Sequence, residues 1–303
     1  MTAFPLQTVR AALPGMTDGL TDCMAGGSAA SGLPRSSLLD RGLCPEILLG
    51  MPHLTPFGLS RTWLLKELAH RHWLMLGRDL AMDNADFRTP DGQEAYAAIS
   101  ALSCNVRFSQ ARANAVLSIA ANLYPVSHAR CESLFTLCVD GVPVGAVVLQ
   151  SAFVARTSGP NRSVRRSLIR NANADGSVRP SRLAGAAGLL RTLDAAALHC
   201  RNETLFQPCP LEEFNGAGLF YFAEFLAAAG RAFWQWEGAE AAALRFERPH
   251  AVLFTGNIEQ GETLRIRLCS RQGTEPVSLC TVGRMDGSVI ASVLFGHGED
   301  DAV

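Results

Sequence analysis

A chain of 303 residues with 48 % hydrophobic and 18 % charged residues carries enough apolar material for a substantial core and is too rich in it for a disordered polymer. A formal charge of −1 argues against a protein that wraps a polyanion, because nucleic-acid domains show a strongly basic footprint. The basic residues are almost all arginine, with Lys66 the single lysine, and the length admits one large domain or two of about 150 residues.

Residues 1–42, with GGSAASGLPRSS at their centre, lack a sustained period and read as a flexible lead-in. No basic stretch followed by an apolar run opens the chain, and nowhere do about 18 apolar residues follow one another, so a cytoplasmic protein without a membrane span is expected. In 59–77, Leu59, Trp63, Leu64, Leu68, His72 and Met75 recur at spacings of three and four, which predicts a helix with a broad apolar face. Strands are predicted near 104–108, 115–124, 131–139 and 143–155. Asp140-Gly141 turns the last pair, with Val142-Pro143 suggesting a loop slightly longer than two residues.

Residues 155–182 are rich in Gly, Pro, Ser and Asn and hold seven arginines against the single acid Asp175, the composition of a linker. It is either a solvated connection or, through Arg165 and Arg166, an anion contact for a CoA phosphate or an acidic carrier protein. A second helix over 217–236 and strands near 249–256, 262–270, 276–284 and 288–295 follow, with Asp286-Gly287 turning the last hairpin. The order therefore repeats, with Gly58 to Gly216 spanning 158 residues, Trp73 to Trp234 161, and Asp140 to Asp286 146. A long helix followed by a four-stranded antiparallel meander, twice, is an α+β arrangement, and the unit that fits is the hot-dog fold. The expected division is a lead-in at 1–42, an N-terminal hot-dog at 43–156, an arginine-rich connection at 157–204 and a C-terminal hot-dog at 205–303.

Both helices are entered through similar stretches, GMPHLTPFGLS at 50–60 and QPCPLEEFNGAGL at 207–219. Glycine lets a ligand approach the backbone, and the first helical N–H groups lack intrahelical partners, so Gly58 and Gly216 mark places where a thioester carbonyl could gain negative charge. Thr55 and Phe57 flank the first of them. Glu213 is either a general base or a cap that complements the helix dipole. Asn215 is either a cap or an amide donor to a carbonyl, His53 either an acid–base group or a hydrogen-bonded structural residue. Asn257, after Gly256, either closes a turn or lines the same cleft. His70 and His72 are two apart on a helix and form no metal pair, so no metal is expected. The nine cysteines show no CxxC spacing and read as free thiols. GxSxG, P-loop and GxGxxG motifs are absent, which lowers serine hydrolase, NTPase and dinucleotide readings.

GMPHLTPFGLSRTWLLKELAHRHW, PCPLEEFNGAGLFYFAEF and LFTGNIEQGETLRI together resemble the LnmK-like double hot-dog proteins found with bacterial polyketide assembly lines, over roughly residues 43–297. The resemblance implies two hot-dog units packed as a pseudo-dimer, monomeric or paired again as a homodimer. It also implies an acyltransferase/decarboxylase that takes methylmalonyl-CoA, forms an acyl-enzyme on tyrosine, loses carbon dioxide and delivers propionyl to an acyl carrier protein. No bound cofactor is implied beyond the phosphopantetheine supplied by CoA or the carrier. Two departures stand out: Glu213 replaces the aspartate of the family motif, and the first helix entrance carries Phe57, with Tyr96, Tyr124 and Tyr221 the only tyrosines in the chain. Two alternatives remain, a dehydratase, isomerase or cyclase in which Glu213 and His53 exchange protons with a carrier-bound chain, and a non-catalytic carrier-docking module.

Overall fold

The computed structural model describes residues 38–82, 84–157, 159–169, 178–193, 198–271 and 277–296. Most of the expected lead-in lies outside these residues. After a short helix α1 (Leu38–Gly42) come strands β1 (Glu46–Leu48), β2 (Leu54–Thr55) and β3 (Gly58–Leu59), then the long helix α2 (Arg61–Asp79). Four strands follow, β4 (Ala95–Val106), β5 (Val116–Ser127), β6 (Arg130–Val139) and β7 (Val142–Arg156). The connection holds β8 (Val164–Arg166) and α3 (Ala184–Thr192), and β9 (His199–Phe206) leads to the second half. There α4 (Phe222–Glu237) and α5 (Ala239–Glu247) precede β10 (His250–Phe254), β11 (Leu264–Arg271), β12 (Val277–Arg284) and β13 (Val289–Phe295).

The strands join in one eleven-stranded sheet, β1-β5-β6-β7-β4-β10-β13-β12-β11-β9, with β8 beside β7. The two meanders meet edge to edge where β4 and β10 pair, Ala101 to Cys104 against Leu253 to His250. Side-chain alternation then sorts the seam: Leu102, Cys104 and Val252 face the long helices, whereas Ala101, Ala251 and Leu253 face the other way, toward α3. Helix α3 gives the described part of the connection a packing role, because its Ala186, Ala187, Leu189 and Leu190 cover the sheet's second face.

Helix α2 begins where Ser60 accepts a hydrogen bond from Trp63 N–H, and it buries Leu64, Leu65, Leu68, His72 and Met75, as the spacing predicts. Helix α4 buries Phe222, Phe225, Leu226, Ala229 and Phe233 and stops at Gly238. The two run in opposite directions over one face of the sheet, since Arg61 reaches Leu226 while Lys66 reaches Glu224. That lysine lies 2.6 Å from a buried carboxylate, so the single lysine of the chain neutralises a charge held inside the helix pair. The Asp140-Gly141 loop is a two-residue turn with both residues at positive φ, Val142 pairing directly with Val139. The longer loop expected from Val142-Pro143 does not form, because Pro143 opposite Cys138 sits at a register shift that needs no ladder N–H.

Two histidines are fully enclosed. His72 places Nδ1 2.6 Å from Ser133 Oγ and Nε2 2.8 Å from Ser151 Oγ, and His250 meets the Arg248 carbonyl through Nδ1 at 2.9 Å. Burial lowers both rings from 6.5 to about 4. The native state therefore refuses protons that the unfolded chain accepts, so their stabilisation is complete above about pH 6.5 and is lost as pH falls towards 4, by roughly 3 kcal/mol per ring at most. Denaturant unfolding at pH 7 and pH 4.5 should show this loss, and His72→Gln should shrink it. Equal stability of the wild type at the two pH values would contradict the assignment.

Candidate functional site

The first helix entrance is a closed hairpin. Thr55 Oγ1 accepts from Phe57 N–H and donates to the Gly58 carbonyl, both at 3.2 Å, and the His53 carbonyl accepts from Ser60 N–H at 2.8 Å. Gly58 is needed for the fold itself: its φ is +102°, and a Cβ there would lie 2.1 Å from the Phe108 carbonyl oxygen. The close approach read from this glycine is thus made by the protein's own backbone. His53 accepts from Gly50 N–H through Nδ1 at 2.8 Å and packs on Trp63 with ring centroids 4.5 Å apart.

Just beyond the hairpin, Leu64 N–H and Trp63 N–H find partners on Ser60, whereas the N–H groups of Arg61 and Thr62 have none among the described residues. They border a cleft of about 510 Å³ lined by Thr55, Phe57, Ser60, Arg61 and Thr62 on one side and by Gly230, Arg231, Trp234, Phe246 and Glu247 on the other. That volume lies inside the range of small-molecule sites, roughly 300–1,000 Å³. Arg61 is its central feature. Nη2 donates to the Leu226 carbonyl at 2.9 Å, the guanidinium carbon stands 3.3 Å from the Phe246 ring centre, and Nε is buried without a partner. No carboxylate pairs with it among the described residues. Burial lowers its pKa from 12.5 to about 10, which leaves it charged at neutral pH in a place where charge is costly. Gly230 makes the slot possible, because a Cβ there would lie 2.6 Å from Arg61 Nη2. A glycine in mid-helix costs about 1 kcal/mol relative to alanine, a cost accepted here to seat an uncompensated cation.

The second entrance differs from the expectation. Helix α4 starts at Phe222, five residues after the predicted start, because 213–221 folds back on itself. Phe214 bridges Phe220, Tyr221 N–H donates to the Glu213 carbonyl, and Asn215 Oδ1 accepts from Ala217 and Leu219 N–H at 3.1 and 3.0 Å. Gly216 therefore sits at a loop tip and not in the first helical turn. Asn257 holds the loop as a strand would, its Oδ1 accepting from Phe220 N–H and its Nδ2 donating to the Phe220 carbonyl, both at 2.9 Å. Buried Asn161, which the sequence reading passed over, donates to the carbonyls of Gly218 and Ile258 at 2.8 and 2.7 Å.

Glu213 is buried with both oxygens engaged. One accepts from Cys209 N–H at 2.5 Å, the other pairs with Arg231 at 2.9 Å. Through Arg231, a cleft residue, it touches the cleft indirectly, and no described contact joins it to His53. The structure thus brings Thr55 and Phe57 to one cleft with Arg61, and gathers Asn215, Gly216 and Asn257 in a separate loop. Arg165 turns back onto the carbonyls of Arg162 and Val164, while Arg166 is exposed on β8. Burial pushes the Tyr221 phenol up to about 12, the opposite of what a phenolate nucleophile requires. Arg61 was missed because it reads as a first-turn helical residue; the signal lay in Gly230, a glycine inside an otherwise strong helical run.

No protein-family model matches the sequence, and no curated protein matches it. Solved structures do share the fold. A 12:0-ACP thioesterase from Umbellularia californica superposes with a TM-score of 0.60 at 9 % identity, over 82 % of this chain and 91 % of that one. An acyl-ACP thioesterase from Bacteroides thetaiotaomicron gives 0.53 at 12 % identity, over 82 % and 95 %. At such identities the likeness shows the fold, a double hot-dog of the α+β class.

Gly230→Ala separates the slot from the helix that carries it. The added methyl must displace the Arg61 guanidinium while improving helix propensity. Thermal stability should hold or rise, and a crystal structure of the variant should show Arg61 Nη2 displaced from the Leu226 carbonyl. A variant that loses stability with Arg61 still bonded to the Leu226 carbonyl would contradict this reading of the cleft.

Proposed function

We propose that this chain is an enzyme of acyl thioesters carried on the phosphopantetheine of CoA or of an acyl carrier protein, and that the cleft beside Arg61 is its acyl site. The observation that carries the reading is the uncompensated guanidinium beside two free helix N–H groups in an otherwise largely apolar cleft. Such donors suit an oxygen that becomes negative during reaction, and they need no reorganisation when the charge appears. The shared fold supports the substrate class, since the two superposed structures are named as enzymes of ACP-linked acyl groups.

The finer reading is acyl transfer with decarboxylation of malonyl-type thioesters in polyketide biosynthesis, which rests on the LnmK-like resemblance. In this account the thioester oxygen faces Arg61 and the N–H groups of Arg61 and Thr62, and the carboxylate lies against Phe57 and Trp234. Contact with these two partly exposed rings replaces part of its hydration, which favours its loss as carbon dioxide. The bonding pair of the broken C–C bond moves into the enolate, whose oxygen the same donors stabilise, and a solvent proton then completes the α-carbon. With Tyr221 held as a phenol, the acyl group passes directly between thiols without a tyrosyl intermediate.

Glu247, the one carboxylate among the described residues lining the cleft, favours a second reading in which it orients a water for thioester hydrolysis; one oxygen is already fixed by Ser109 N–H at 2.7 Å. Incubation with methylmalonyl-CoA and a holo carrier protein, followed by mass spectrometry, separates the readings. Propionyl-carrier and carbon dioxide are expected, with Arg61→Leu slowing turnover about 10²–10³-fold. Release of CoA with intact methylmalonate would establish hydrolysis instead. No turnover of any acyl-CoA or acyl-carrier substrate would overturn the enzyme assignment.

A further inference from the structure

Away from the cleft, strands β9 and β11 carry two cysteines directly opposite each other, Cys200 and Cys269. Their juxtaposition depends on a bulge. The register runs Leu268 to Asn202 and then Cys269 to Cys200, so Arg201 is the extra residue. Regular alternation would set Arg201 against Cys269 and turn Cys200 to the opposite face. The bulge re-aims Cys200 onto the face of Arg267 and Cys269, a known use of such irregularities. Opposed residues in antiparallel strands have Cα atoms about 4.5–5.5 Å apart, inside the roughly 4.4–6.8 Å span of a disulfide. Cys200 Sγ approaches the Asn202 carbonyl at 3.5 Å, and Arg267, ion-paired with Glu203 at 3.2 Å, lies on the same face as Cys269 two residues along β11. Among the described residues no other two cysteines face each other across a strand pair.

Access differs between the two sulfurs. Cys200 is partly exposed on β9, the last strand of the sheet, while Cys269 is buried behind it. We infer that Cys200 and Cys269 form a reversible, redox-responsive disulfide that small disulfides such as oxidised glutathione install. Cys200, as thiolate, attacks one glutathione sulfur, and the other glutathione leaves as a thiolate with the bonding pair. Arg267, already paired with Glu203, is the cation on this face of the strand pair, and the exchange itself needs only the Cys200 thiolate. Cys269 then gives up its proton, attacks the Cys200 sulfur of the mixed disulfide and expels the second glutathione. Two protein thiols are oxidised and one glutathione disulfide is reduced to two thiols. The product ties the edge strand β9, which leads into the 207–221 loop, to β11. This inference is independent of the acyl-thioester reading.

The test is equilibration of the full chain in glutathione buffers of stepped redox ratio, acid quenching, alkylation and peptide mapping. A Cys200–Cys269 linked peptide is expected, with loss of two alkylatable thiols and their return on addition of dithiothreitol. Cys269→Ser should stop at a glutathione adduct on Cys200, and Cys200→Ser should give neither product. The wild-type map alone decides the matter if a variant folds poorly. Complete alkylation of both residues at the most oxidising ratio would overturn the inference, as would glutathione confined to exposed Cys44 or Cys209.

Discussion

Everything in this molecule depends on the antiparallel pairing of β4 with β10. Four residues on each strand fuse two four-stranded meanders into one sheet, and that fusion fixes how far apart the two long helices lie. With the sheet continuous, α2 and α4 share one face and one core, from Leu64 and Leu68 to Phe225 and Phe233. The second face, left apolar at Ala101, Ala251 and Leu253, is closed by α3. Burial on both faces of the seam makes it costly to open.

The helix pair created by the seam is also where charge is handled in two contrasting ways. Lys66 meets the buried Glu224 carboxylate, so that pair is neutral and ties the helices together. A little over one turn earlier, Arg61 enters the same interface with a carbonyl and an aromatic face as its partners and, among the described residues, no paired carboxylate. Arginine tolerates this because its delocalised charge is weakly hydrated and stacks on rings. An unmatched cation at the positive end of a helix is unfavourable for stability, and its retention makes sense where an anion or an oxyanion arrives during function. The second helix entrance is built oppositely, since Asn161, Asn215 and Asn257 satisfy its backbone internally.

Much of the architecture was legible in the sequence because its periodicities are strong. The spacing of Leu64, Leu68, His72 and Met75 located α2 to within two residues, and Asp140-Gly141 and Asp286-Gly287 located both last hairpins. Strand β9 was not legible, because its exposed residues are Arg201, Glu203 and Leu205 and an edge strand needs no apolar run. Nor was α5, a short helix with an alanine-rich start. The site was only partly legible. Thr55 and Phe57 do line the cleft, but the polar residues of the 213–219 stretch, Glu213 and Asn215, turned out to be bonded within the protein. Sequence shows that a carboxylate or amide is present; only tertiary contacts show whether its lone pairs are already used.

The central claim is that the start of α2, and not the 213–219 loop, receives the thioester. The most direct measurement is a crystal structure with a non-reactive acyl-CoA analogue in which the sulfur is replaced by methylene. The account predicts the acyl carbonyl within hydrogen-bond reach of Thr62 N–H and the Arg61 guanidinium, with the pantetheine arm leaving past Trp234. An acyl carbonyl bound at Gly216 and Asn215, with the Arg61 cleft empty, would contradict it.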